Sequence, residues 1–522
     1  MNVIIVGGGT AGLISALMLK HTYPHVNVEI IKSTKIGIVG VGESSTEHWS
    51  DFCDYLGIPK LDFIKKANAT FKLGVHFKNW SQNDFLHSID SRYTQMMGDY
   101  FLVYGHLISH TTKKLQSPFY WTQGLELEDL SSRQFHFDTF ELNNYLTNIC
   151  KDRGIRVIKD DLTHIKYKEN NISSVCSNKK EYKADFFLDC SGFKRFLTKD
   201  RKWKSYSNLP VNSAITFSTD EMDEYPKYTT STAQDYGWSW SIPTQTRTGN
   251  GYVFSDSFID VDAAHMEMEK YYGHKIDITK HFKFDTGRLE KAWENNCYAI
   301  GLSQSFIEPL EATSIGSIIQ QMFCFLHFLP AYDMDSCNRK VNNIFDNIFD
   351  YVQAHYLTKK ENTPFWKEIK NNLKLSDNLN DYLEMWRNRL PQQEDVRTSW
   401  GLFGALNYIQ ILHGLEWFDI SKIKKEYEMN KIDIKSMVIG FLMSTNIFFF
   451  MGLGDSTIVS HTHDADEVEY TSYQYYSYGT IGKALKDLKS NVEDGSNHNH
   501  YGDYSEAYHN HDGDYSSTWH DH

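Results

Sequence analysis

The run Asn2–Val6 is apolar and β-branched, and it leads through Gly7-Gly8-Gly9-Thr10-Ala11-Gly12 into apolar positions at helical spacing over Leu13–Lys20. Strand, glycine turn and helix in that order constrain the chain more than any other feature. The pattern Gly7-x-Gly9-x-x-Gly12 permits a tight turn and close backbone approach, and the helix start offers N–H groups to a diphosphate. A second strand over Val26–Ile31 completes a βαβ unit, whose crossover is expected to be right-handed. An α/β dinucleotide-binding domain is therefore expected at the start of the chain.

Further along, Leu142–Cys150 reads as a helix, and Ile155–Tyr167, Ile172–Ser177 and Ala184–Asp189 read as strands. The last ends in Asp189-Cys190-Ser191-Gly192 and carries the nucleotide domain forward. Between about 200 and 280, short alternating runs such as Tyr236–Pro243 and Gly251–Phe258 predict an antiparallel sheet lying over the cofactor. Helical periodicity dominates from Ser314 to about Phe450, punctuated by Pro330, Pro364 and Pro391. The expected division is a discontinuous nucleotide domain (1–90, 130–200 and 280–330), a sheet region (91–129 and 201–279), a helical substrate region (331–454) and a polar tail (455–522).

Fifty-three basic against 67 acidic residues leave a net charge of −14, which disfavours nucleic acid and anionic membranes as partners and favours a small molecule. The 7 cysteines contain no C-x-x-C, and Met1 leads straight into a strand without a signal-peptide pattern, so a cytoplasmic setting is expected. Met437–Leu453 is apolar but interrupted by Gly440, Ser444, Thr445 and Asn446, the pattern of a buried helix rather than a membrane span. The tail carries His498, His500, His509, His511, His520 and His522 among acidic residues, chemistry that suits transition metals, but its composition reads first as a solvated low-complexity segment.

At the end of the second strand, the acid that commonly holds ribose hydroxyls is replaced by Lys32, with Glu29 nearby. A second glycine turn, Gly40-Val41-Gly42-Glu43-Ser44-Ser45, follows, and Gly192 and Gly301 close two later strands. Together they favour FAD over NAD. No second strand-linked G-x-G-x-x-G is present to hold NADPH, so the flavin is reduced either by its own substrate or by a partner enzyme.

Several motifs together resemble the flavin-dependent tryptophan halogenase family over most of residues 1–450. They are Val6–Gly12; Gly40-Val41-Gly42-Glu43; Phe71-Lys72 ahead of Phe77-Lys78-Asn79-Trp80; Trp238-Ser239-Trp240-Ser241-Ile242-Pro243; and Phe306-Ile307-Glu308-Pro309-Leu310-Glu311 followed by Ala312-Thr313. The resemblance implies a Rossmann-like FAD-binding domain of the flavin monooxygenase type, with a mixed sheet insertion and an α-rich C-terminal substrate region. It also implies FAD reduced by a separate flavin reductase, and a halide ion oxidised with oxygen to hypohalous acid. Cofactor contacts are then expected from Gly7, Gly9, Thr10, Ala11, Gly12, Gly40, Val41, Gly42, Glu43, Gly192 and Gly301. Lys72 matches the family's catalytic lysine, whose ammonium donates hydrogen bonds to hypohalous acid and whose burial makes the free amine accessible. Glu311 matches the glutamate that orients the halogenating species or stabilises the cationic aromatic intermediate.

Thr313 and Ser314 fall where family backbone amides bind halide, at the start of the apolar helix Ile315–Phe328, although the family's Ser-Thr-Gly reads Ala312-Thr313-Ser314 here. Trp238, Trp240, Ile242 and Pro243 would form a wall between flavin and substrate. His87 matches a histidine of the aromatic-substrate pocket, with Ile89 where Phe is usual, and Tyr408 is a further substrate-side candidate. The acidic and aromatic clamp for free tryptophan has no match over Trp400–Phe418, so the expected substrate is an electron-rich aromatic of indole or phenol type. A homo-oligomer is expected and no metal site is assigned. The competing readings are a flavin-dependent aromatic hydroxylase and a non-catalytic metal-binding role for the tail.

Overall fold

In the computed structural model the described residues are 1–38, 43–88, 134–220, 226–396, 400–419 and 421–423. All of them fall within the unit Met1–Met437. Expectations for Gly40, Val41, Gly42, Ile89, the Met437–Leu453 helix and the His-rich tail lie outside the described residues, as does the side chain of Glu43.

A six-stranded sheet runs in the order Trp293–Glu294, Cys297–Ala299, Phe186–Asp189, Asn2–Val6, Asn27–Lys32, Arg156–Lys159. Its pairs are parallel except at the Trp293–Glu294 edge. Val3, Ile4 and Ile5 are all buried, as are Phe186, Phe187 and Leu188, the two-faced burial that parallel strands covered by helices require. The strand Phe186–Asp189 ends on a fully buried carboxylate. Asp189 Oδ1 accepts from Ser191 N (3.1 Å), Ser191 Oγ (2.6 Å) and Ser303 Oγ (3.1 Å), and Oδ2 accepts from Leu197 N and Thr198 Oγ1, both at 2.8 Å. This single side chain ties the turn at Gly192 to the turn at Gly301, and both glycines have positive φ.

The expected strand Ile155–Tyr167 is two strands, Arg156–Lys159 and Leu162–Lys168. Asp160 and Asp161 break it: the Asp161 carboxylate accepts from Ser33 Oγ and Thr34 Oγ1, both at 2.6 Å, which pulls the chain out of the parallel sheet. The second strand then joins Asn171–Ser177 and Glu181–Lys183 in a separate antiparallel sheet.

A seven-stranded sheet runs Lys280–Lys283, Ser213–Thr219, Thr248–Phe254, Gly237–Pro243, Thr229–Ala233, Gly74–Lys78, Phe85–Ser88. The expected Gly251–Phe258 strand ends at Phe254, because Phe258 N turns back onto Ser255 O and Asp260 then caps the helix Val261–Tyr272. Thr229–Ala233 pairs parallel to Gly74–Lys78 and antiparallel to Gly237–Pro243, which puts the Trp238 strand in one sheet with the strand that follows Lys72. Helix Thr313–Phe328 packs on both Thr10–Thr22 and Met334–His355 and so joins the nucleotide domain to the helical region. No helix among the described residues is long and apolar enough to cross a membrane.

Candidate active site

A cavity of about 640 Å³ lies at the C-terminal ends of the parallel strands. Gly7, Gly9, Thr10, Ala11, Lys32, Asp160, Ser191 and Gly192 line it together with Trp238, Trp240, Ile242, Pro309 to Ala312 and Ser314. The glycine turn is shaped by contact. A Cβ on Gly7 (φ +118°) would stand 2.1 Å from Cys190 O, and one on Gly12 would stand 2.0 Å from Gly7 O. Gly12 therefore packs helix against turn rather than lining the cavity. Gly9 faces open space, and no side chain caps the helix it begins, so the first-turn N–H groups point at the cavity with their hydrogen-bonding capacity intact. Gly301 sits behind the turn, where a Cβ would meet Ala11 Cβ at 2.8 Å.

A diphosphate-bridged dinucleotide fits this arrangement. Lys32, the departure from an acidic residue, donates to Asn143 Oδ1 at 2.8 Å, and Asn143 Nδ2 donates to Gly8 O at 3.0 Å, so the lysine braces the glycine turn.

Lys72 and Glu311 are brought close enough to interact electrostatically, Glu311 on the cavity and Lys72 off it. Lys72 leaves the strand Thr70–Phe71, its N–H bonds Gln134 O at 3.0 Å, and its fully buried Nζ donates to Ser45 O at 3.0 Å. Burial lowers its pKa to about 8, against the pull of Glu311 and Glu47 towards the charged form. It does not line the flavin cavity, whereas Trp238, Trp240 and Ile242 do. His136, buried close by between Thr70 Oγ1 (3.2 Å) and Thr229 Oγ1 (3.0 Å), is held well below the ordinary histidine range by burial and by the Lys72 charge.

Glu311 is buried, and its backbone is left-handed (φ 67°), as is that of Ala312 (φ 57°). Its Oε1 accepts from His87 Nδ1 at 2.8 Å and from His355 Nε2 at 3.0 Å. Asn407 Oδ1 accepts from Gly404 N, so its Nδ2 donates to His87 Nε2 at 3.1 Å, which places the His87 proton on Nδ1, toward Glu311. Both ring nitrogens of His355 face acceptors, the other being Tyr351 O at 2.8 Å. Burial opposes ionisation of Glu311, but the two histidines prevail and hold its pKa at about 2. Oε2 has no partner among the described residues.

The remaining expectations divide. Ser314 lines the cavity, whereas Thr313 is buried and does not. Pro243 accepts from Thr70 Oγ1 at 2.8 Å and belongs to the sheet. His87 is wholly buried as a partner of Glu311, and Tyr408 is packed between Tyr351 and Trp386, so both stand behind the site rather than on the cavity. Sequence reasoning missed His355, at the end of an amphipathic helix, and His136, in a short buried strand, single histidines with no motif around them. It also passed over the role of Glu308, although that residue stands inside a quoted motif.

A tryptophan halogenase family model matches residues 2–421. The chain belongs to the tryptophan halogenase family. It is 29% identical to tryptophan 6-halogenase SttH of Streptomyces toxytricini over 465 residues, covering 79% of this chain and 89% of the relative. Tryptophan 7-halogenase RebH of Lentzea aerocolonigenes is 27% identical, with the same two coverages of 79% and 89%. The crystal structure of a tryptophan halogenase from Shewanella frigidimarina superposes with a TM-score of 0.72 at 26% identity, covering 80% of this chain and 88% of that one. This halogenase is a flavin-dependent enzyme with a Rossmann-like FAD domain, and a small aromatic is its class of substrate. Nothing in these relationships supports the hydroxylase or metal-tail readings.

Proposed function

We propose that the chain halogenates an electron-rich aromatic of indole or phenol type at Lys72, using hypohalous acid generated on the other side of the Trp238–Trp240 strand. The observation that carries this reading is the separation itself: Trp238, Trp240 and Ile242 line the flavin cavity, and Lys72 is fully buried without lining it.

Gly7, Gly9, Thr10, Ala11 and Gly192 would hold FAD, which when reduced supplies the electrons that let oxygen oxidise halide. Gly12 and Gly301 would shape the turn around it. The backbone N–H groups at the start of Thr313–Phe328, next to Ser314, would receive the halide, because no side chain caps that helix. The Lys72 ammonium would donate a hydrogen bond and then its proton to the oxygen of hypohalous acid, so that the halogen passes to the ring carbon as water departs, and the proton released from that carbon would restore the ammonium. With its pKa near 8, Lys72 has both ammonium and amine within reach around neutral pH. Glu311, held as a carboxylate, stabilises the positive charge that develops on the ring.

A separate flavin reductase and a homo-oligomeric state belong to the same proposal. The test supplies reduced FAD and oxygen, varies chloride, bromide and iodide against a panel of aromatics, and reads product masses. Halogenated products that track the halide are expected; oxygenated products independent of halide would overturn the reading.

A further inference from the structure

Glu308 and Glu311 lie on one short segment, yet their surroundings are opposite. Glu311 has two histidine donors. Glu308 is equally buried, and both of its hydrogen bonds come from neutral groups to the same oxygen: Trp238 Nε1 at 3.2 Å and Tyr356 OH at 2.7 Å, both to Oε1. Its Oε2 has no partner among the described residues, and aromatic rings surround the locus, with Trp80 and Trp366 packed on Tyr356. A carboxylate with one bare oxygen in such a place is disfavoured more strongly than a carboxylic acid, which satisfies both donors through its carbonyl oxygen and leaves only an uncharged O–H without an acceptor among the described residues. Burial accordingly pushes Glu308 up to about 8.

Trp238 is the first tryptophan of the strand that lines the cavity, and an indole N–H has one hydrogen bond to give. Tyr356 follows directly on the helix that carries Tyr351 and His355. Glu308 is thus the one described side chain bonded both to the Trp238 indole N–H and to the end of the helix that holds Glu311 in place.

We propose that Glu308 is a positioning residue, an uncharged carboxylic acid that clamps the Trp238 indole to Tyr356 and so holds the aromatic wall against the Lys72 compartment. This rests on the reading of Trp238 as part of a wall between flavin and substrate, and adds the group that keeps it in register.

The test uses the full chain and three variants. Glu308→Gln preserves the acceptor and mimics the neutral acid, Glu308→Leu removes the acceptor, and Tyr356→Phe removes one donor. Thermal denaturation is followed from pH 5 upward. Glu308→Gln is expected to gain on the wild type as pH rises towards about 8 and to hold that lead above it, because only the wild type must keep a proton the unfolded chain releases. Parallel curves, or a variant that loses ground, would overturn the neutral state.

Coupling is read as halogenated product per flavin oxidised, with a scavenger trapping escaped hypohalous acid and FAD binding followed by fluorescence. Glu308→Gln keeps the wild-type yield. Glu308→Leu loses about tenfold, with trapped oxidant rising and FAD affinity unchanged. Should the leucine variant not fold, Tyr356→Phe is expected to move the yield the same way by less. A folded Glu308→Leu or Tyr356→Phe protein as well coupled as the wild type would overturn the clamp. If the wild type makes no halogenated product, the functional reading fails, while the denaturation arm still decides the state of Glu308.

Discussion

Replacing Glu311 by Gln removes the charge that both His87 and His355 are arranged around. The carboxyl moves from an ordinary 4.5 to about 2 in the folded chain, which corresponds to about 3 kcal/mol of favourable interaction with its surroundings. The side chain is 2% exposed, so solvent screening takes little from that figure. Removing one partner of a buried charged pair commonly costs about 3–5 kcal/mol, in the same range. A urea titration at pH 7 should therefore show Glu311→Gln about 3 kcal/mol less stable, with an unchanged denaturant slope. Because the folded value lies below the unfolded one, this stability is complete above pH 4.5 and is lost as pH falls towards about 2. The gap between wild type and variant should hold at neutral pH and shrink under acid. A variant as stable as the wild type at pH 7, or a gap that widens in acid, would refute the arrangement of one carboxylate between two imidazoles.

Two further outcomes follow from backbone geometry. Gly7→Ala should fold less stably by about 1–3 kcal/mol and lose FAD affinity in a fluorescence titration, because its Cβ would stand 2.1 Å from Cys190 O at φ +118°. Ala312→Gly should raise stability by about 1 kcal/mol in the same urea assay, since φ 57° strains a residue with a Cβ, and the added freedom at the helix start should alter the ranking of chloride, bromide and iodide.

Much of the nucleotide domain was legible because its signals are local. The apolar run Asn2–Val6, the glycine spacing and the following helix each dictate a conformation within a few residues, and the fold keeps all of them. The alternation in Tyr236–Pro243 likewise gave a strand, with Trp238 and Trp240 on the cavity. The break at Asp160-Asp161 was hidden, because it depends on Ser33 and Thr34 from a distant loop. His355 carried no signal at all, since its role comes from a helix packed against a segment far away in the chain. Glu308 and Glu311 look equivalent in the sequence. Only the structure shows one among donors from neutral aromatic side chains and the other among histidines, and hence which keeps its proton.

The division between an oxidant made beside the glycine turn and an amine that uses it is tested most directly by Lys72→Ala, supplied with reduced FAD, oxygen and halide in the presence of an aromatic substrate. Flavin oxidation should continue at the wild-type level and scavenger-trapped hypohalous acid should rise, while regioselective aryl halide disappears from the mass spectrum. A variant that still halogenates the ring at one position, or that fails to bind FAD, would contradict the account.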